Sequence, residues 1–340
     1  MEYRSYKDLS KAIISNIYKI PNDVDLIVGI PRSGLMAGNL IASSLNLPII
    51  DLDTFLSNYK LSREIKGSTS IHYDLPRDAK HVLLVDDSIY AGKSMAHAKA
   101  LIKKAAIKQT ITSCTVYANP DSTHLVDIYF EKLSSPGCQE WNILHRDKLE
   151  HFCVDIDGVI CIDPTKKEDD DGPAYLEFLK NAKPLMIPSH KVGYLITGRL
   201  EKYRKETESW LEEHHIKYHK LYMLDLPNAE IRWKLRASPK FKAKLFKNLT
   251  DSPLFIESDP NEARTIARLS GKKVLCFSNQ CLHEPQMSTA LIELKIKDYY
   301  KRVIRKIQSL TENKGPHYAH NNSLISKPHN SEKMEVMDHD

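Results

Sequence analysis

Two pairs of carboxylates in this 340-residue chain each stand directly behind a short apolar run. Asp86 and Asp87 follow Val82–Val85, and Asp155 and Asp157 follow Phe152–Val154. Behind the first pair comes a loop of mostly small residues, Tyr90-Ala91-Gly92-Lys93-Ser94, and then a helix-compatible run from Met95. Strand, acid pair, loop and helix form a holder for a sugar phosphate. The carboxylates accept hydrogen bonds from vicinal hydroxyls, and the loop amides and helix N-terminus receive the phosphate dianion. A nucleotide P-loop is the competing reading, because Gly92-Lys93-Ser94 ends like one. That motif needs a glycine where Asp87 stands.

The elements that must position this pair are legible nearby. Leu26–Val28 reads as a second apolar strand running into Gly29-Ile30-Pro31-Arg32-Ser33-Gly34, with a helix of Leu, Ala and Ile behind it. The two segments, in this order, resemble the type I phosphoribosyltransferases, which bind 5-phosphoribosyl-1-pyrophosphate (PRPP). The resemblance covers about residues 25–130. It implies that Asp86 and Asp87 take the ribose hydroxyls, and that Tyr90, Ala91, Gly92, Lys93 and Ser94 take the 5-phosphate. Arg32, Ser33 and Gly34 would take the pyrophosphate, with Arg32 bringing charge and Gly34 letting the backbone approach. Ala91 departs from the family, which usually has Thr there, so one hydroxyl is missing while Ser94 and the backbone amides remain. The family also places a mobile hood over PRPP, here Asp53 to Leu75 with Lys60, Arg63, Lys66, Gly67 and His72. Its closure would keep water from the ribose C1; a solvated surface hairpin is the alternative for that stretch.

In the second half, Asp155 and Asp157 sit two residues apart at a strand end, so the pleat points them the same way. Gly158 permits the turn behind them. A calcium loop would need further oxygen ligands and a distal Glu, which Val159, Ile160 and Ile162 do not supply. The segment resembles motif I of the haloacid-dehalogenase-like phosphatases. Three further segments resemble that family's other motifs in order: Val192–Arg199 with Thr197, Ser238–Lys244 with Lys240, Lys242 and Lys244, and Leu254–Asp259. The resemblance implies Asp155 as the nucleophile that becomes an aspartyl-phosphate and Asp157 as general acid and then base. It implies Thr197 as a phosphoryl-binding hydroxyl and Lys242, favoured among the three lysines, as the motif III cation. Mg2+ would be held by Asp155, Asp157, Glu257 and Asp259, with Glu262 a further candidate. Glu257 stands where the family usually has Asp. There is little room for a large cap before Thr197, so residues 161–173 are expected to be a short polar flap. The run Asp169-Asp170-Asp171 within it reads as a solvated loop more readily than as a metal site.

The expected architecture is α/β with two doubly wound domains. These are a phosphoribosyltransferase-like parallel sheet over residues 1–148 and a Rossmannoid phosphatase-like sheet with a minimal cap over 149–310. A basic helix over 290–310 and a disordered polar tail over 311–340 follow. The domains are expected to pack together, because no long flexible linker separates them. Hydrophobic residues make up 41%, with no run long enough to span a membrane and no signal-peptide core at the start. Six cysteines without a Cys-x-x-Cys pair read as packing thiols of a cytoplasmic protein. The net charge of +5 suits phosphorylated substrates and gives no ground to expect nucleic acid. Two functions compete. One is a bifunctional enzyme that transfers phosphoribosyl to a nucleobase-like heterocycle or a sugar hydroxyl and removes a phosphate. Economy leans this reading toward a biosynthetic acceptor outside salvage. The other is a module that senses PRPP or a nucleotide and is coupled to the phosphatase or a scaffold. An oligomer is compatible with either.

Overall fold

Apolar runs punctuated by acids and glycines form the central strands of two sheets in the computed structural model, which describes residues 1–60, 74–134 and 137–285. Arg63, Lys66, Gly67 and His72 of the expected hood lie outside the described residues, as do the expected helix over 290–310 and the tail over 311–340.

The first half runs β1 (Tyr3–Arg4), α1 (Tyr6–Asn16), β2 (Leu26–Gly29), α2 (Ser33–Leu45), β3 (Ile49–Asp51), α3 (Leu52–Ser57), β4 (His81–Ile89), α4 (Lys93–Lys104), β5 (Thr110–Ala118), β6 (Ile128–Lys132) and β7 (Cys138–Gln139). Helix α1 starts where it does because Ser5 and Asp8 cap each other reciprocally: the Ser5 hydroxyl accepts from the Asp8 amide and Asp8 accepts from the Ser5 amide. Leu9, Ala12 and Ile13, at helical spacing, then turn one face of α1 into the core. The five-stranded sheet has the order β3-β2-β4-β5-β6 and is parallel throughout. Its central strands are apolar on both faces because both are covered. Ile27, Leu83 and Val85 enter one core, and Leu26, Val28, Val82 and Leu84 the other.

The second half runs β8 (Cys153–Val154), α5 (Pro173–Asn181), β9 (Val192–Leu200), α6 (Arg204–Glu213), β10 (Tyr218–Leu224), α7 (Ala229–Leu235), α8 (Ala237–Asn248), β11 (Leu254–Glu257), α9 (Pro260–Ser270), β12 (Lys273–Cys276) and β13 (Cys281–His283). The sheet order is β10-β9-β8-β11-β12-β13, parallel except for the antiparallel edge strand β13. Cys153 faces the core under α8 and α9 with Phe246 and Ile266, while Val154 faces the core under α5 and α6 with Leu179 and Leu211.

Both sheets share a topological consequence. In the first, the chain leaves β2 for β3 on one side and returns to β4 on the other. In the second, it leaves β8 for β9 and returns to β11. Loops diverge at such a switch point and open a crevice outside the carboxyl ends of the strands. The first crevice lies between β2 and β4, where Arg32 and the Asp86–Asp87 pair are. The second lies between β8 and β11, where Asp155 and Glu257 are. The halves are packed within one compact unit. Tyr3, Ile143 and Leu144 share a core with Phe152 and Val154 of the second sheet. The join at Asp147–His151 is a 3-10 turn with Leu149 buried in it. No described helix is long and apolar enough to cross a membrane. Among the described cysteines all are free, and Cys281 alone of them is exposed.

Three local expectations are corrected. The strand before the first acid pair does not stop at Val85. Pairing of Asp86 with Thr115 and Ile89 with Ala118 carries β4 through the acids, so α4 starts at Lys93 rather than Met95. Likewise β9 runs on through Thr197 and Gly198 to Leu200. The pleat, in contrast, does not aim Asp155 and Asp157, because β8 ends at Val154 and the chain turns at once. The Val159, Ile160 and Cys161 amides all bond back to the Ile156 carbonyl.

Candidate active sites

In the first crevice, Asp86 and Asp87 are buried at the end of β4, and α2 sits hard against them. A Cβ on Gly34 would come 2.6 Å from the Val85 carbonyl oxygen and 3.2 Å from Asp86 Oδ1. Glycine is therefore required there for contact, not for conformation. Gly34→Ala is expected to push α2 off β4 at a cost of about 1–3 kcal/mol. Denaturant unfolding would read this, and an unchanged midpoint would contradict the tight approach. The Asp86 carboxyl accepts from the Asp87 amide at 2.9 Å. Burial, then the neighbouring Asp87 charge, pushes its pKa up to about 8. Burial raises Asp87 as well, opposed by hydrogen bonds from Ser33, Asp86 and Ser88. Ser33, at the start of α2, faces Asp87 across the crevice. The Pro31–Arg32 peptide before it is cis, and Arg32 is exposed.

The loop behind the pair is built for an anion. Gly92 takes a left-handed φ of 72° and a Cβ there would strike Leu125, so only glycine lets α4 begin at this point. Ala91, Lys93 and Ser94 are exposed, and the first amides of α4 have no intrahelical acceptor. Tyr90 points elsewhere: its hydroxyl accepts from the Gly137 amide at 2.6 Å, and its carbonyl accepts from Ser122 Oγ. The Tyr90 side chain anchors the loop, and its backbone is what can face a ligand.

The second crevice is a cleft of about 800 Å³ lined by Asp155, Asp157, Asp163, Glu257, Asp259 and Lys242 among others. Lys242, on α8, is buried and uses all three ammonium donors on carboxylates. It lies 2.7 Å from Asp155 Oδ2, 2.8 Å from Glu257 Oε2 and 2.8 Å from Glu262 Oε2. Those charges hold it well above the ordinary lysine range against the opposing effect of burial. Burial raises Asp155 and Glu257, and Lys242 opposes the rise in both. Of the three lysines in the segment, the structure brings only this one to the acids. Lys240 bonds the Leu235 carbonyl, and Lys244 is exposed. Asp155 is fixed at its other oxygen by the Ile156 amide at 2.8 Å. Glu257 Oε1 takes the Ser258 and Asp259 amides, and Asp259 caps α9 through the Asn261 and Glu262 amides. Thr197 is fully buried, and its hydroxyl accepts from the Arg199 amide, while Gly198 beside it lines the cleft.

Arg199 is the residue that motif reading passed over. It is fully buried, forks onto Asp157 with contacts of 2.6, 3.0 and 3.2 Å, and also reaches Cys161 and Thr207. A charge inside an apolar strand needs a buried partner, and that was the available signal. The Asp169–Asp171 run is no cation site. Asp169 pairs with Arg232, Asp170 accepts from the Gly172 and Tyr175 amides, and Asp171 takes Lys202, Tyr203 and the Ala229 amide. These bonds latch the flap to α7 and to the 3-10 turn before α6.

Among the described residues no three acidic, His or Cys side chains already converge as a metal cage. The donor set nevertheless suits Mg2+, which binds through one or two carboxylates plus a substrate phosphate. Asp163 lines the same cleft, and partial burial, then Asp157 and Asp155, push its pKa up to about 6.

The first half is thus an α/β domain whose ligand crevice lies at the carboxyl edge of a parallel sheet. Its residues 2–147 match the phosphoribosyl transferase domain, and the chain belongs to the phosphoribosyltransferase family. A xanthine-guanine phosphoribosyltransferase of Desulfotalea psychrophila is 30% identical over 132 residues, covering 39% of this chain and 76% of that one. One from Chromohalobacter salexigens is 28% identical over 115 residues, covering 34% and 65%. Among solved structures, the purine phosphoribosyltransferase of Pyrococcus horikoshii superposes with a TM-score of 0.30 at 23% identity, over 41% of this chain and 92% of that one. The assignment rests on the sequence matches.

Proposed function

We propose that the chain is a bifunctional enzyme. Residues 1–148 would transfer phosphoribosyl from PRPP to a nucleobase, and residues 149–310 would hydrolyse a phosphomonoester in the manner of haloacid-dehalogenase-like phosphatases. In the transfer, the bond from ribose C1 to the pyrophosphate oxygen breaks and pyrophosphate leaves with the electron pair. An acceptor nitrogen forms the new bond to C1 and gives up its proton. Asp86 and Asp87 orient the ribose, the amides at the start of α4 take the 5-phosphate, and Arg32 offsets charge on the departing pyrophosphate. The named relatives favour a purine over a sugar hydroxyl as acceptor, against the lean toward a non-salvage acceptor.

The second activity is carried by one observation, the buried Lys242 shared by Asp155, Glu257 and Glu262 at a switch-point cleft. Asp155 attacks phosphorus, the ester oxygen leaves with its electron pair, and Asp157 supplies its proton. Asp157 then takes a proton from water, which attacks phosphorus and frees Asp155 and phosphate. Lys242 and Arg199 hold the two carboxylates apart and in place. Asp155, Asp157, Glu257 and Asp259 are the residues that would hold Mg2+, whose charge offsets that of the phosphate.

The test is turnover by the full chain with PRPP, Mg2+ and, in turn, xanthine, guanine, hypoxanthine, adenine and a sugar acceptor. Pyrophosphate release with at least one purine is expected. PRPP binding with no release from any acceptor would make the first domain a sensor and overturn the transferase reading.

A further inference from the structure

The second cleft is far larger than a phosphate, and its outer wall is chemically unlike its floor. The floor is carboxylates and Lys242; the wall on α7 and α9 brings Trp233, Arg236 and Arg264. Helix α7 has Ala229 as its buried residue, while Trp233 and Leu235 stand 53% and 51% exposed. An exposed tryptophan on the wall of a cleft calls for a ligand more than an isolated surface apolar residue does. Besides the packing of Ala229, polar contacts hold α7: the Asp169–Arg232 ion pair at 3.1 Å, the Arg232 bond to the Gly198 carbonyl at 3.2 Å and the Asp171 bond to the Ala229 amide at 2.9 Å. The Arg232 guanidinium lies 5.5 Å from the Trp233 ring centroid and helps hold the ring.

Arg236 closes α7 with a left-handed φ of 46°, a conformation unfavourable for a residue with a Cβ. Its side chain is exposed, has no hydrogen-bond or ion-pair partner among the described residues, and lines the same cleft. An aromatic face, an unpartnered guanidinium and a floor of carboxylates with Lys242, where Mg2+ would be held, lie in one cavity, and together they match a ligand that is part heteroaromatic ring and part phosphate.

We propose that Trp233 and Arg236 form a base subsite, so that the substrate of the second cleft is a nucleoside 5′-monophosphate. The inference rests on the phosphatase reading and gives it a substrate class. The base stacks on Trp233, Arg236 donates to its exocyclic oxygen, and the 5′-phosphate reaches Asp155. A nucleobase-using transferase on the same chain makes this class of compound.

Phosphate release by the full chain with Mg2+ is measured for GMP and for ribose 5-phosphate, which lacks the base. The wild type is expected to show a lower KM for GMP. Trp233→Ala, at an exposed site, is expected to raise the GMP KM about tenfold with kcat little changed, and to leave ribose 5-phosphate unaffected. Equal KM values in the wild type, or an equal change for both substrates in the variant, overturn the subsite. Hydrolysis of neither compound overturns the phosphatase reading instead. The subsite is then decided by calorimetric GMP binding in an Asp86→Asn, Asp87→Asn background, which weakens binding at the first site. Equal affinity with and without Trp233 overturns it there too.

Discussion

Asp155→Asn is expected to lower magnesium-dependent phosphomonoester hydrolysis by roughly a thousandfold or more, as loss of a covalent nucleophile does. Pyrophosphate release at the first site should be unchanged. Asp155 Oδ2 lies 2.7 Å from the Lys242 ammonium, and Oδ1 is held by the Ile156 amide. An amide in that place keeps the shape but has neither the charge nor the nucleophilic oxygen. Lys242 keeps Glu257 and Glu262 as partners in the variant, so the fold is expected to survive while the kinetic loss is seen. Mass spectrometry of products formed from PRPP and a competent purine extends the test. The wild type is expected to yield the nucleoside, and Asp155→Asn to accumulate the nucleotide. Surviving hydrolysis in a clean preparation would remove Asp155 as nucleophile. The same 5′-phosphate from both proteins would mean that the two sites serve different metabolites.

The double change Asp86→Asn, Asp87→Asn is expected to weaken PRPP binding at least tenfold, since each charged acceptor contributes about 1.5–3 kcal/mol. Calorimetry with Mg2+ reads this, and equal affinities would falsify the placement of the ribose. The same pair sets a pH dependence. The Asp86 pKa is about 8 in the folded chain, whereas an unfolded aspartate titrates near ~3.9. Between those values the folded chain binds more protons than the unfolded one, so the contribution of this group to stability falls as pH rises through that window. Ligand-free wild type should therefore lose stability toward pH 8 while its PRPP affinity rises, because the hydroxyls bind the ionised acids. The double variant should lack that slope and be more stable than wild type near pH 8. A site that is costly in the free protein and useful in the complex accounts for both effects.

Neighbours in sequence made much of this readable. An apolar run, then Asp86-Asp87, then a small-residue loop is a local pattern, and β4, the Gly92 turn and α4 follow from it within a few residues. Leu26–Gly34 and Phe152–Gly158 are local in the same way. The limits of these elements were less legible. Pairing with β5 carries β4 through its acids, and a partner strand whose residues lie 29 positions on, as Thr115 does from Asp86, is not written in the run itself.

By itself the sequence determined the apolar strands that lead into each acid pair, the glycines at the heads of α2 and α4, and the family of the first half. The strands and turns depend on residues within one turn or one strand of each other, where backbone sterics and unbroken apolar runs act directly. Only the tertiary structure decided which groups meet across long stretches of chain. Strand order brought the β8 and β11 ends together, so that Asp155, Glu257 and Glu262 compete for one ammonium. It selected Lys242 because α8 turns that residue, and not Lys240 or Lys244, toward the sheet. It buried Arg199 against Asp157, and it stood Trp233 and Arg236 on the wall of the same cleft. Such encounters are fixed by which faces pack and how much water they exclude, a property of the whole core that no short segment encodes.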